Sequence, residues 1–439
     1  MTNQILRGRK HLIALNPNDL PTKWLNMRAV LPEKLPPVLD PDDDKHGRVE
    51  IMRRIRPQAM IQQDETNDEW IDIPEEVLEK FVEIGRPTPL MRAVELERYL
   101  DTPAKIYIKR EDLLPSHSFK LNTAVAQAYY AKKENAEGLI TETGAGQWGV
   151  SLSYACNMFD LKTIVFWVKV SVNQKPLRRA FSEMLGATVY PSPSTMTKAG
   201  REILDKNPDH YGSLGTAIGE AISFSMEHDS YKYASGSNLS HVLLHQSIIG
   251  LETKMQLELA GEQPDILVGC CGGGSNLGGL IAPWVRTKSE RPDTIRLFAA
   301  ESEAAPRLSR GRYMYDHSDP VGLTPQVLSY TLGMDYMPPP VHVGGLRQHN
   351  GSPIIGMLKH KDLLESRPYT QEEIFEAGRL FIQLYRIIPA PETCHAIKAT
   401  IDLALEAKRN NEKKTIVMCF SGNGLLDLSG YSEILNKSK

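Results

Sequence analysis

The chain has no excess of either charge: 51 Lys and Arg stand against 54 Asp and Glu over 439 residues, a net charge of −3. The basic residues are interspersed, not gathered in a stripe, so nothing points to nucleic acid. No apolar run approaches the roughly 20 residues needed to cross a bilayer. Met1-Thr2-Asn3-Gln4 lacks the apolar stretch of a secretion signal, so a cytoplasmic protein is expected. Cysteine is scarce. The five residues Cys156, Cys270, Cys271, Cys394 and Cys419 are odd in number and lack metal-ligand spacing, which favours buried reduced thiols over a disulfide framework. His241 and His245 lie four apart on a helical stretch, but no third ligand follows, and no metal site is expected.

Residues 1–84 are punctuated by Pro21, Pro32, Pro36, Pro37 and Pro41, with a loop at Asp42-Asp43-Asp44-Lys45-His46-Gly47. Apolar residues recur through them (Leu25, Met27, Val30, Leu31, Leu35, Val38), so this stretch reads as an extended arm lying over a body or a partner subunit. Ile71 to Val77 closes the arm and begins a short helix. From Gly85 onward short apolar runs alternate with helical patterns. Strands are expected at 104–108, 163–168, 187–190, 265–269, 295–299 and 415–420, with a short one at Leu139-Ile140-Thr141. Helices are expected near 119–133, 148–159, 176–185, 240–259, 276–287, 371–385 and 394–409. The pattern predicts an α/β fold of mostly parallel sheets covered by helices on both faces. Such sheets bind ligands beyond the carboxyl ends of their strands. Three polar, glycine-bearing turns fall there: Glu142 to Gly146, Gly269 to Asn276 and Ser421 to Gly424.

Lys120 sits in Pro115-Ser116-His117-Ser118-Phe119-Lys120-Leu121-Asn122, ahead of an alanine-rich helix. An apolar setting lowers the pKa of an ammonium and suits Schiff-base chemistry. Gly272-Gly273-Gly274-Ser275-Asn276 precedes another helix and can offer several backbone N–H groups to one phosphate. A lysine together with a phosphate cradle fits pyridoxal 5'-phosphate, with the aldehyde on the lysine and the phosphate on the amides. Gly144-Ala145-Gly146-Gln147 forms a second row of donors suited to a substrate carboxylate, and Glu142 is a candidate acid or base. The plainer role for Glu142 is capping a helix. A Ser421 hydroxyl at the pyridine nitrogen would leave that nitrogen largely unprotonated. The weaker electron sink favours elimination and replacement at the β carbon over transamination. Its plainer role is that of a turn serine.

These residues resemble the pyridoxal phosphate-dependent tryptophan synthase β chains, and most of all their second, longer type. The likeness runs from about Lys23 to the C-terminus. It is carried by Gly85-Arg86-Pro87-Thr88-Pro89-Leu90, Glu142 to Gly149, Gly269 to Asn276, Gly333-Met334-Asp335-Tyr336, Pro338-Pro339-Pro340, Gly344-Gly345-Leu346-Arg347, Ile388 to Glu392 and Ser421 to Gly424. The resemblance implies a two-lobed enzyme of the second pyridoxal-phosphate fold type, working as a homodimer. Its main lobe would comprise 85–119 and 211–439, and a smaller mobile lobe 120–210. It implies that Lys120 holds the cofactor and takes the α proton of serine. Gly272 to Asn276 would hold the phosphate, Asn122 and Ser421 would contact the ring, and Thr143, Gly144, Ala145, Gly146 and Gln147 would bind the carboxylate. Glu142 would help hydroxide leave and orient the indole N–H, and Asp335 would latch the mobile lobe over an aminoacrylate. Carbonyls near Tyr336 would offer a place for a monovalent cation. The arm would cover the surface used by an α subunit, leaving free indole as substrate.

The chain departs from that pattern in three places. Phe119 stands where the family has histidine, and His117-Ser118-Phe119-Lys120-Leu121 instead resembles the lysine motif of serine/threonine dehydratases. Tyr385-Arg386 replaces a Glu-Gly pair, and Arg386 is a candidate to bind an anionic substrate group such as the phosphate of O-phosphoserine. The segment before Gly85 and the Arg347-Gln348-His349-Asn350 stretch also differ in detail. Four readings follow: tryptophan formation from serine (or O-phosphoserine) and indole, elimination to a 2-oxo acid, replacement with another nucleophile, and a non-catalytic scaffold subunit. Retention of Lys120, Glu142 and the glycine loop weighs against the last.

Overall fold

The computed structural model describes residues 11–40 and 47–437; the loop expected at Asp42 to His46 lies outside them. Seven strands form the larger sheet, in the order Leu12–Ile13, Leu90–Arg92, Lys105–Arg110, Thr415–Phe420, Ile266–Cys270, Arg296–Ser302, Glu365–Tyr369. The first two join antiparallel and the rest are parallel. A second sheet is parallel throughout, in the order Ala187–Ser192, Lys162–Val168, Gly138–Thr143, Tyr231–Tyr233. Thr415–Phe420 is buried at every position, as an unbroken apolar run flanked by parallel neighbours requires. Each strand expected from sequence overlaps one of these. Leu12–Ile13, Leu90–Arg92, Tyr231–Tyr233 and Glu365–Tyr369 are additions, and the third brings a strand from beyond residue 210 into the smaller sheet.

The helix expected over 276–287 is divided into Ser275–Ile281, a tight turn Ala282–Trp284 and Val285–Glu290. Pro283 stands in that turn, where its missing N–H cannot support an α-helical bond. The helix expected from 394 begins earlier, at Pro391, because proline's fixed φ and absent donor suit a first turn. The N-terminal stretch is less extended than its prolines imply. It holds the helices Arg48–Ile55, Gln58–Glu65 and Glu75–Glu83, and a pairing of Lys23–Leu25 with Trp70–Asp72. Trp24, Met27, Val77 and Phe81 are buried in one apolar core with Leu121, Leu243 and Leu277. His241 pairs through Nδ1 with Asp64 at 3.0 Å, and His245 bridges Thr123 and Gln63. These two histidines thus fasten the arm to the body. All five cysteines are buried and free. No helix among the described residues is long and apolar enough to cross a membrane.

Candidate active site

The carboxyl ends of Thr415–Phe420 and Ile266–Cys270 meet the helix start at Lys120 in a cleft of about 470 Å³, counted to its open mouth. Lys120, Gly272, Gly273, Gly274, Ser275, Asn276 and Ser421 line it together with Gln147 and Glu392. Lys120 is the residue before the helix Leu121–Lys133, and its Nζ donates to the Gly236 carbonyl at 2.7 Å. Burial lowers its ammonium to about 8, against the opposing pull of Cys270, Glu142 and Glu392. A lysine in that range is deprotonated often enough to act as a nucleophile or base near neutrality. Gly236 is itself constrained, since a Cβ there would lie 2.4 Å from the Trp148 ring. Trp148 in turn donates from Nε1 to Thr141 Oγ1 at 2.6 Å. The lysine is therefore held through a chain of contacts that reaches the smaller sheet.

The glycine loop has no room for side chains. A Cβ on Gly272 would stand 2.7 Å from the Gly345 carbonyl oxygen, and one on Gly273 2.7 Å from Gln348 Oε1. A Cβ on Gly274 would meet Ile355 at 2.7 Å, and Gly274 has φ +112, a region that side-chain-bearing residues avoid. Buried Arg307 pins the loop by donating from Nε to the Gly272 carbonyl at 2.9 Å. What remains facing the cleft is bare backbone at a helix start, the arrangement that accepts a phosphate. Ser421 Oγ lies 2.7 Å from Thr393 Oγ1 and 3.5 Å from Cys270 Sγ, a polar but uncharged edge. A reactive lysine, a side-chain-free anion cradle and a hydroxyl edge on one cleft fit pyridoxal 5'-phosphate.

Glu142 ends the strand Gly138–Thr143 and is buried. Burial pushes its carboxyl up to about 7, although the Tyr233 hydroxyl and Lys120 pull the other way. Tyr233 donates to Glu142 Oε2 at 2.7 Å. Beyond it Thr143 Oγ1 accepts from Gly146 N at 3.1 Å, and Gly146 takes φ +95 where a Cβ would strike the Trp167 ring at 2.0 Å. Gly144, Ala145 and Gly146 thus turn tightly into the helix Gln147–Met158, whose first residue, Gln147, lines the cleft.

Of this stretch only Gln147 is on the cleft lining, Gly144 lining a neighbouring pocket instead, and three further expected site residues lie elsewhere. Asn122 is fully buried, accepting from Arg86 Nη1 at 2.7 Å and donating to Glu111 Oε2 and Gln246 Oε1 at 3.0 Å each. Its amide is committed to a network that also holds Lys109 and Glu252, and it is not on the cleft wall. Arg386 is exposed, ends the helix Gln371–Tyr385 with φ 58, and donates to the Leu384 carbonyl at 3.3 Å. Its neighbour Tyr385 accepts from the Leu96 amide, 2.8 Å away, so Tyr385 faces the helix Val94–Leu100 and neither residue lines the cleft. Asp335 is exposed in the turn closed by Tyr336 N and the Gly333 carbonyl, with no polar partner among the described residues. In compensation the cleft carries a carboxylate that sequence reasoning did not single out. Glu392 is buried, accepts from Gly345 N at 2.9 Å, and is held below the ordinary carboxylate range by Arg178 and Lys175 despite its burial. Its place directly after Pro389-Ala390-Pro391, at the head of a helix, was the available signal.

Comparison with known proteins agrees with this geometry. Residues 83–422 match the family model described as pyridoxal-phosphate dependent enzyme. The chain is 49% identical over 423 residues to tryptophan synthase beta chain 2 of Methanothermobacter thermautotrophicus, covering 96% of this chain and 98% of that protein. It is 50% identical over 420 residues to tryptophan synthase beta chain 2 of Thermotoga maritima, covering 96% and 99%. Among solved structures it is similar in fold to a fungal L-serine ammonia-lyase from Rhizomucor miehei (TM-score 0.60, 16% identity, 80% of this chain and 98% of that one). It is likewise similar to the processed threonine deaminase isoform 2 of Solanum lycopersicum (TM-score 0.60, 18% identity, 93% and 98%).

Proposed function

This chain belongs to the pyridoxal-phosphate dependent enzymes, among the tryptophan synthase β chains of the second, longer type, and we propose that it makes L-tryptophan by replacing the β substituent of L-serine with indole. The observation that carries the reading is Glu142: a buried carboxyl titrating near 7 beside both Lys120 and Tyr233. Elimination and replacement alike ask for a base on the α proton and a proton for the departing hydroxyl. Joining indole asks in addition for a group that accepts a hydrogen bond from the indole N–H while C3 attacks and that then takes up the C3 proton, and a buried carboxyl with pKa near the working pH suits both tasks.

When bound, pyridoxal 5'-phosphate supplies an electron sink at the α carbon of the amino acid. Lys120, the Gly272–Asn276 turn and Ser421 are the residues that would hold it. Lys120 Nζ, lowered to about 8, moves the α proton. The amides of Thr143 to Gln147 receive the substrate carboxylate and fix its orientation. Ser421 meets the ring edge with a hydroxyl, keeping the chemistry at the β carbon. A cytoplasmic homodimer, with residues 120–210 closing over the cleft, is the accompanying proposal and rests on the resemblance; sedimentation would read twice the chain mass.

A second reading, elimination to a 2-oxo acid, is favoured by one feature. Lys120 Nζ lies 5.2 Å from the centre of the Phe119 ring, at the place where the family has histidine. Purified protein loaded with cofactor, L-serine and indole separates the two by product mass. Tryptophan is the expected product; pyruvate alone, with indole untouched, overturns the proposal. Replacing serine by O-phosphoserine in the same assay identifies the preferred donor.

A further inference from the structure

Asp427 is completely buried in the short turn Leu425–Asp427, on the same loop as Ser421. Arg178 Nη2 donates to its Oδ2, and Lys175 Nζ lies 2.7 Å from its Oδ1. Both cations are buried and come from the region after the strand Lys162–Val168 of the smaller sheet. Removing one carboxylate and two cations from water is costly unless they pair closely. The contact therefore joins the smaller-sheet region firmly to the C-terminal part of the molecule. Arg178 does more than pair: its Nη1 donates to the Ala145 carbonyl at 3.0 Å, in the middle of the turn that offers amides to the cleft. A carbonyl held there fixes the plane of the 145–146 peptide, and with it the direction of the Gly146 N–H toward Thr143 Oγ1. One guanidinium thus holds the carboxylate and the turn through two different nitrogens, in a rigid planar geometry that a lysine ammonium does not reproduce. Lys175 shares Asp427 but makes no hydrogen bond to the turn. Asp335, the residue expected to latch the lobes, is exposed.

We propose that Arg178 and Asp427 are a positioning pair for the carboxylate of the amino-acid donor: Asp427 orients Arg178, and Arg178 holds the Thr143–Gln147 turn by the Ala145 carbonyl. The inference rests on the reading of that turn as the carboxylate site. The test is a serine saturation series on the cofactor-loaded wild type, Arg178→Lys, Asp427→Asn and Lys175→Met, with melting temperatures measured in parallel. Arg178→Lys and Asp427→Asn raise the serine KM roughly tenfold with kcat and the indole KM changed little, as loss of positioning predicts. Lys175→Met, which removes a neighbour of Asp427 and Glu392 but no hydrogen bond to the turn, raises the serine KM several-fold less than Arg178→Lys. An unchanged serine KM in Arg178→Lys overturns the proposal. So does an equal rise in Lys175→Met, which would reduce the cluster to a structural ion pair. Arg178→Lys conserves charge and carries the test if Asp427→Asn does not fold. A serine titration of the cofactor absorbance gives the same comparison as a Kd. A wild type that binds serine but forms no tryptophan would therefore refute the functional reading and still decide this one.

Discussion

Glu142 owes its raised pKa to burial, which outweighs the opposing hydrogen bond from a tyrosine 91 residues away in sequence. Its folded pKa of about 7 stands above the ordinary 4.5, so between those values the folded chain keeps a proton that the unfolded chain has released. Stability then falls as pH rises from 4.5 to 7, by roughly 3 kcal/mol from this one group. Chemical denaturation of the apoprotein at pH 5 and pH 8 should show wild type losing about that much relative to Glu142→Gln; parallel curves would contradict the assignment. Residues whose role is written in a local string were legible: Lys120 before its helix, the glycine run, Ser421 after its strand. Tyr233, Glu392, Arg178 and Asp427 were not, because their partners are set by the fold and leave no pattern nearby. Asn122 shows the opposite case: it is two residues from the lysine, but two steps along a helix turn a side chain by about 200°, and its amide joins the network around Arg86.

The glycine loop and the buried network are the elements that hold the cleft in shape. Gly274→Ala would combine an unfavourable φ with a 2.7 Å approach to Ile355, so the cradle must distort. The expected result is at least tenfold weaker cofactor retention on dialysis, with secondary structure intact; retention equal to wild type would show that the loop does not bear the phosphate. Beneath the cleft, Arg86 and Lys109 face Glu111 and Glu252, all fully buried. Removing one partner strands charge without water, and Glu252→Ala should cost about 3–5 kcal/mol in denaturant unfolding; a change below about 1 kcal/mol would mean the network is solvated. Gln371–Tyr385 and Thr415–Phe420 were read to their ends because apolar period and turn residues agree there. Arg48–Ile55 and Gln58–Glu65 were not, since charged and amide side chains dilute their apolar stripe. Tyr231–Tyr233 and Glu365–Tyr369 are short and partly exposed, too brief for alternation to register.

At the scale of the whole molecule, two sheets bring different parts of the chemistry to one cleft. The larger sheet supplies the phosphate cradle and the hydroxyl edge from the ends of Ile266–Cys270 and Thr415–Phe420. The smaller one ends beside it in Glu142, which interacts with Lys120, and in the turn that leads to Gln147 on the cleft wall. Lys120 stands between them, tied to Gly236 and through it to Trp148. Alternating strands and helices made this α/β arrangement readable, whereas the way the arm folds onto the body depends on contacts such as Asp64 with His241 that no local pattern announces. The division of labour predicts that the lysine side can work without Glu142 but cannot make tryptophan alone. The direct measurement is the ratio of tryptophan to pyruvate formed from serine labelled with ¹³C at the β carbon, with indole present, in wild type and Glu142→Ala. Label passing chiefly into tryptophan in wild type and chiefly into pyruvate in the variant is the predicted result. Equal ratios in the two proteins would contradict the account.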